Sequence, residues 1–436
     1  MSKLALCRSK RLIASKRKSA AARYGALILT SIFLVACKSD IDVPGDQAND
    51  RLSITNSDSL LNSRVTSTST PVIIEDDTGY IPPGVTTKAN VASSVSLRLI
   101  SEIAAPIVEG ETVQATSVSM DGGDKAMVSY NMAGAPRLGA VDYITKLTES
   151  NPRLRSSVSF NDSDINAVAT DGSYIYVAVA TGSLAFPFPA VLERIKLKND
   201  KFVLEDANRI ALTSFAATSV VRTSNEVYAT SGNTGSVFAF TKSKLDPLGE
   251  FPLHDARWVA WDKDGKRVVV LQGTPGQISI FEEDEFPGGS MQLLNTFSFP
   301  GADIPESKST VDVAGGKAFI AAGAQGVQVV CLDDGQIVGS VPVPDAASLG
   351  LDPGDVVTNA VSVDKDLMFI SNGGAGVYVA RGANEFKDTD CTEQQQITVL
   401  GKLRFDDFQS VNHVEFENDH LIIAAGLSGV KVVRVD

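Results

Sequence analysis

An all-β fold, specifically a seven-bladed β-propeller of four-stranded antiparallel blades, is what this sequence predicts. Three observations predict it. A Gly-x-x-Gly turn between two short apolar strands recurs through residues 227–433. Its spacing is about 50 residues, the period of a propeller blade. Finally, the last repeat stops one strand short while the first is preceded by a strand too many.

The recurring turn is clearest in VYATSGNTGSVFAF (227–240), VVVLQGTPGQISIF (268–281), AFIAAGAQGVQVV (318–330), MFISNGGAGVYVA (368–380) and LIIAAGLSGVKVV (421–433). Two looser copies precede them. One has Gly134 and Gly139 around a longer turn, and the other has Gly182 followed by the insertion Phe186-Pro187-Phe188-Pro189. Glycine reaches positive φ without a Cβ clash, so paired glycines suit a tight antiparallel connection. Alternation as in Val327-Gln328-Val329 is the period of a strand. The fifth repeat then reads as strands 310–314, 317–321, 326–331 and 336–341, with Pro342 ending the last because it has no N–H for the ladder. Such a sheet cannot bury both faces alone, so the repeats must stack and close on themselves. The seventh repeat ends at Asp436 without an outer strand, and Ser96–Ile103 is expected to fill that place. The composition agrees: hydrophobic residues make up 43% and aromatics 7%, with 35 Gly, as expected of many short strands joined by turns.

The chain begins with an address. Residues 1–36 hold eight Lys/Arg and no acid, and residues 26–36 (ALILTSIFLVA) are apolar. That run is too short to span a bilayer about 30 Å thick, and a basic segment before a short apolar one has the shape of a secretory signal. Leu34-Val35-Ala36-Cys37 resembles the bacterial lipobox, which implies lipidation of Cys37 and a membrane anchor. By the same resemblance, the lack of Asp after Cys37 implies the outer membrane, on its periplasmic or its exposed side. Residues 38–94, rich in Ser, Thr, Asn and Asp, are expected to form a flexible tether, and residues 95–436 the propeller. The net charge of −13 becomes more negative once the basic leader is removed. No clustered basic footprint for phosphate remains, so nucleic acid is not an expected partner.

Site residues follow from aligning the first strands on Val118, Val168, Val220, Val259, Val313, Val361 and Val414. Two positions earlier stand Thr116, Asn166, Thr218, Arg257, Val311, Asn359 and Asn412. One position earlier stand Ser117, Ala167, Ser219, Trp258, Asp312, Ala360 and His413. A propeller usually binds where the starts of these strands meet the loops. Arg257, Asn166, Asn359, Asn412, Asp312 and His413 are therefore the candidate binding residues. Two readings stand: the Asn/Thr ring hydrogen-bonds neighbouring blades and water, or it holds a small anionic or polar ligand with Arg257. Acidic loop residues (Asp162, Asp164, Asp255, Asp303, Glu306, Asp352, Asp355, Asp406 and Asp407) could converge on one face to bind Ca²⁺, but a solvated rim is the expected reading. They lack metal-ligand spacing, and no cofactor is expected. A histidine metal site would need His254 and His413 to meet across the mouth. No local motif places Ser, His and Asp or Cys and His for nucleophilic catalysis. Export permits a disulfide between Cys331 and Cys391, but the reach between neighbouring outer strands disfavours one, and the sequence leaves the pairing open. The Phe/Pro insertion at 186–189 is expected either as an exposed apolar contact site or packed on its own blade.

AAGLSGVKVVRVD (424–436) and AAGAQGVQVV (321–330) resemble the repeats of LVIVD-repeat propellers, a family of bacterial exported proteins. The resemblance covers most of residues 95–436 and is weakest in the first two repeats. The Asp-x-Ser-x-Pro that usually follows the third strand is missing from most repeats. The family implies a fold and an exported setting but no catalytic residue. Trp261-Asp262 lies on a first strand, not at the end of a third, so the WD40 pattern is not met. The expected function is a non-catalytic binding or scaffold propeller at the cell envelope, taking a protein or small ligand on its loop face. The alternative is a metal-dependent hydrolase or lyase with a site at the channel mouth.

Overall fold

The alternating apolar repeats do become strands. A computed structural model describes residues 50–75, 95–149, 151–304, 307–405 and 410–436. Cys37, the leader and parts of the expected tether lie outside them, as do Glu306, Asp406 and Asp407. Among the described residues no helix is long and apolar enough to cross a membrane.

The fold is all-β and consists largely of four-stranded antiparallel meanders, numbered here as sheets I to VII. The first strands are Gln114–Asp121 in I, Ser163–Thr170 in II, Ala217–Arg222 in III, Ala256–Asp262 in IV, Val311–Ala314 in V, Ala360–Asp364 in VI and His413–Glu417 in VII. Sheet V continues through Lys317–Ala321, Val327–Cys331 and Ile337–Val341, within a residue of the strands read from sequence. Leu97–Ile103 pairs antiparallel with Val430–Val435 and supplies the outer strand that sheet VII lacks.

The inner strands present buried apolar side chains to both faces, so each sheet needs a neighbour on either side. Seven buried apolar clusters meet that need, each shared by two successive sheets. Val141 and Phe160 of sheet I meet Val168 and Val177 of sheet II. The succession continues through II with III, III with IV, IV with V, V with VI and VI with VII. The last cluster joins Ile422 and Val432 of sheet VII to Val118 and Val128 of sheet I. The first strands repeat this order: each packs on the next, and His413–Glu417 packs on Gln114–Asp121.

Three expectations need correction. Part of the supposed tether is built into the sheets. Leu52–Thr55 pairs with Arg153–Phe160 as a fifth strand of sheet I. Val65–Glu75 lies between the outer strands of sheets VI and VII, paired with Ile397–Arg404 and with Leu97–Ile103, so the two meanders become one nine-stranded sheet. Composition misled because these strands contribute few core side chains. They are held by ladder bonds and by two ion pairs, Arg51 with Glu193 and Arg64 with Asp142 at 2.6 Å, both acids being fully buried.

The second correction concerns the cysteines. Cys331 and Cys391 are bonded. Cys391 is not on an outer strand but on the loop 383–396, which returns over sheet V: Gln395 N donates to Val338 O at 2.6 Å and Lys317 Nζ donates to Thr389 O. The third concerns the glycines. In sheets V to VII both glycines of the turn take positive φ, as at Gly426 (56°) and Gly429 (78°). Gly273 of sheet IV does not. It is needed for space, since a Cβ there would stand 1.9 Å from Arg257 Nε.

Candidate functional site

All seven aligned valines line one cavity of about 520 Å³. It lies among the second halves of the first strands, toward the turns that lead into the second strands. The starts of the same strands line a separate cavity of about 350 Å³. Because second and third strands turn back at that end, it also carries the Gly-x-x-Gly turns and the loops between sheets. This is the loop face.

The sequence-derived candidates divide between the two cavities. Asn166, Arg257, Asn359 and Asn412 come together at the loop-face mouth, while Asp312 and His413 line the other cavity. At the mouth the ring residues act as latches between sheets. Thr116 Oγ1 donates to Ile165 O at 3.0 Å, Asn166 Nδ2 to Ala217 O at 2.8 Å, Thr218 Oγ1 to Ala256 O at 2.7 Å and Asn412 Nδ2 to Ala115 O at 2.7 Å. Each acceptor is the carbonyl just before the ring residue of the next sheet, so one position satisfies buried backbone groups that adjacent first strands cannot offer each other.

Arg257 plays the same part with a larger head. It is 7% exposed. Its Nη1 donates to Ile304 O and Ser307 O at 2.9 and 3.2 Å, and its Nη2 lies 2.7 Å from Asp255 Oδ2. Its charge and donors are thus already engaged, and the expected role as an anion anchor is not what the geometry offers. Asp312 and His413 bridge sheets on the other side. Asp312 Oδ2 accepts from Val363 N at 2.8 Å, and His413 Nδ1 accepts from Val118 N at 3.3 Å. Burial pushes the Asp312 carboxyl up to about 6. Burial, with the nearby Lys308 charge, holds His413 well below its usual range, so the ring is neutral.

Two residues of this region escaped the sequence reading. Glu415 accepts from Met120 N at 2.9 Å and lines the larger cavity. Burial raises its carboxyl to about 8. A signal existed: one position after the aligned valines stand Ser119, Ala169, Val221, Ala260, Ala314, Ser362 and Glu415, a single carboxylate in a column of small, mostly apolar residues. Lys308 had no such signal. It comes from the loop before sheet V, and its Nζ donates to Thr116 O at 2.6 Å and Asn166 O at 3.0 Å, 5.1 Å from the Trp258 ring centroid. Burial lowers the amine to about 7. Trp258 in turn lies 5.1 Å from the His413 ring.

The acidic rim is largely paired where it is described. Asp162 lies near Arg51 and Arg209, Asp164 near Arg137 and Asp255 on Arg257, and Asp352 caps a short 3-10 turn. His254 bonds Thr274 O rather than meeting His413. The Phe/Pro insertion divides: Phe186 is 9% exposed beneath the Arg209 guanidinium, whereas Phe188 is 46% exposed. Among the described residues, the acidic groups close enough to share a cation are Glu226, Glu283 and Asp284, at the end opposite the loop face.

No protein-family model and no curated protein matches this chain. Among solved structures, it is similar to the computationally designed protein Ika8, with 12% identity, a TM-score of 0.45, and coverage of 78% of this chain and 93% of that one. It is also similar to a putative 6-phosphogluconolactonase from Bacteroides uniformis, with 11% identity, a TM-score of 0.47, and coverage of 76% and 99%.

Proposed function

We propose that residues 95–436 form a seven-bladed β-propeller of the LVIVD-repeat kind, exported and lipid-anchored through Cys37, that serves as a non-catalytic binding or scaffold module at the cell envelope. The observation that carries the binding role is the loop face. Ile107 (69% exposed), Leu184 (100%), Phe188 (46%), Phe215 (57%) and Leu427 (66%) all stand at that one end of the sheets. Apolar side chains gathered on one face are what a protein partner covers. The polar residues at the same mouth support the reading from the other side, because their donors hold sheet to sheet and leave little for chemistry. The seven apolar interfaces in closed succession support the blade count. The Cys331–Cys391 bond suits an oxidising compartment outside the cytoplasm.

The test compares the lipidated protein with a Leu184→Asp/Phe215→Asp variant of unchanged melting temperature in crosslinking on intact cells. A crosslinked species present with the parent and absent with the variant is the expected result. Identical patterns would refute the loop-face assignment. About one equivalent of bound metal in the purified chain would instead favour catalysis. Cys37→Ala is expected to move the protein from the membrane to the soluble fraction, and retention would sink the anchor.

A further inference from the structure

We propose that the 520 Å³ cavity at the end opposite the loop face is a binding site for a small organic cation that also carries a hydrogen-bond-accepting oxygen. The inference goes beyond the loop-face reading and stands or falls without it. The cavity has the size of a small-molecule site. Its walls hold the carboxyls of Asp312, Asp364, Glu415 and Glu417 against one basic side chain, Arg222. Burial raises the Glu415 and Glu417 carboxyls first of all, and neighbouring acids add to it: Asp312 and Glu417 at Glu415, and Asp364 at Glu417. A cation in their midst would relieve that crowding.

The same walls carry Trp258 and Trp261, which are the chain's two tryptophans. An indole face attracts ammonium groups, best of all where water is excluded. Trp258 already stands beside one such group, the Lys308 amine. A further sign of a ligand is His413. It is 5% exposed, and its Nδ1 accepts from Val118 N, which puts the hydrogen of the neutral ring on Nε2. That N–H has no hydrogen-bond acceptor among the described residues, on the wall of a cavity the histidine helps to line. A ligand oxygen would supply one.

Choline, which pairs a quaternary ammonium with a hydroxyl, is the probe. Because both tryptophans line the cavity, intrinsic fluorescence of the purified full-length chain in detergent reads the site directly. The expected result is a saturable change with choline chloride, with tetramethylammonium binding more weakly. Asp364→Asn/Glu417→Gln should weaken binding about tenfold or more. A response that sodium chloride reproduces at equal ionic strength, or no response, would overturn the proposal. So would stronger binding of calcium chloride, which would make the cavity a metal site. Titration calorimetry of choline on the unaltered chain decides the matter without relying on any variant's folding. Crosslinking at the loop face reports on a different end of the molecule, so the two readings fail separately.

Discussion

At the scale of single residues, position in the register decides function more than residue type does. Asn166 and Asn412 are the residue type a ligand site uses, yet each amide is committed to a carbonyl of the next sheet. Replacing either with Ala removes one buried hydrogen bond and leaves a carbonyl unmet. We expect a loss of about 1–3 kcal/mol each, read as a shift in urea midpoint with unchanged slope. Two buried titrations should shape stability in opposite senses. Glu415 is raised from 4.5 to about 8, so the folded state holds its proton more tightly and stability falls as pH rises from about 4.5 to 8. Lys308 is lowered from 10.5 to about 7, so the unfolded state holds its proton more tightly and stability rises with pH from about 7 to 10.5. Melting profiles across pH should therefore show Glu415→Gln flattening the acid-side decline and Lys308→Met flattening the alkaline-side rise. Unchanged slopes would mean that neither group carries the shift.

At the scale of elements, the pieces that joined the sheets from outside the repeat were the hardest to foresee. The loop 383–396 crosses from sheet VI to sheet V and is pinned by Cys391. The bond closes a separation of 60 residues, for which Cys391→Ser should lower stability by about 2–4 kcal/mol. Reductant should lower the melting temperature of the parent and leave the variant unmoved. The strand Val65–Glu75 presents a different case. Its Ser/Thr-rich sequence carries little core signal, with Val72 its buried apolar side chain. Ladder bonds to strands on both sides hold it, and ladder bonds leave no trace in composition. Arg64 beside it neutralises the fully buried Asp142. Backbone pairing and one ion pair thus do what apolar periodicity does elsewhere.

At the scale of the whole molecule, the seven interfaces form a closed succession, so a missing outer strand of sheet VII is felt at its interfaces with both sheet VI and sheet I. Leu97, Ile100 and Ile103 are 3%, 3% and 0% exposed. Burial of such side chains is worth about 1.5–3 kcal/mol apiece, which together is comparable to the stability of a whole domain, about 5–15 kcal/mol. A chain beginning after Ile103 should therefore not fold cooperatively, and limited proteolysis should find it open throughout. A chain beginning at residue 95 keeps that strand but exposes the edges of sheets VI and VII. It should fold with a lower melting temperature and self-associate through those edges.

The strand units, their turns and the need for Leu97–Ile103 to complete sheet VII were legible in the sequence, because they follow from local periodicity, glycine spacing and the arithmetic of the ends. The alignment of the seven valines was legible for the same reason, although the expected site lay at the positions before them and not in the cavity that the valines line. What those cavities contain was decided only in three dimensions. Lys308 reaches the axis of the first strands from an irregular loop, Arg257 is neutralised by Asp255, and His413 lines a different cavity from Asn412, the residue before it. The two cavities divide along the length of the first strands and loops obey no period, so contacts between distant segments set the chemistry that a repeat pattern cannot encode.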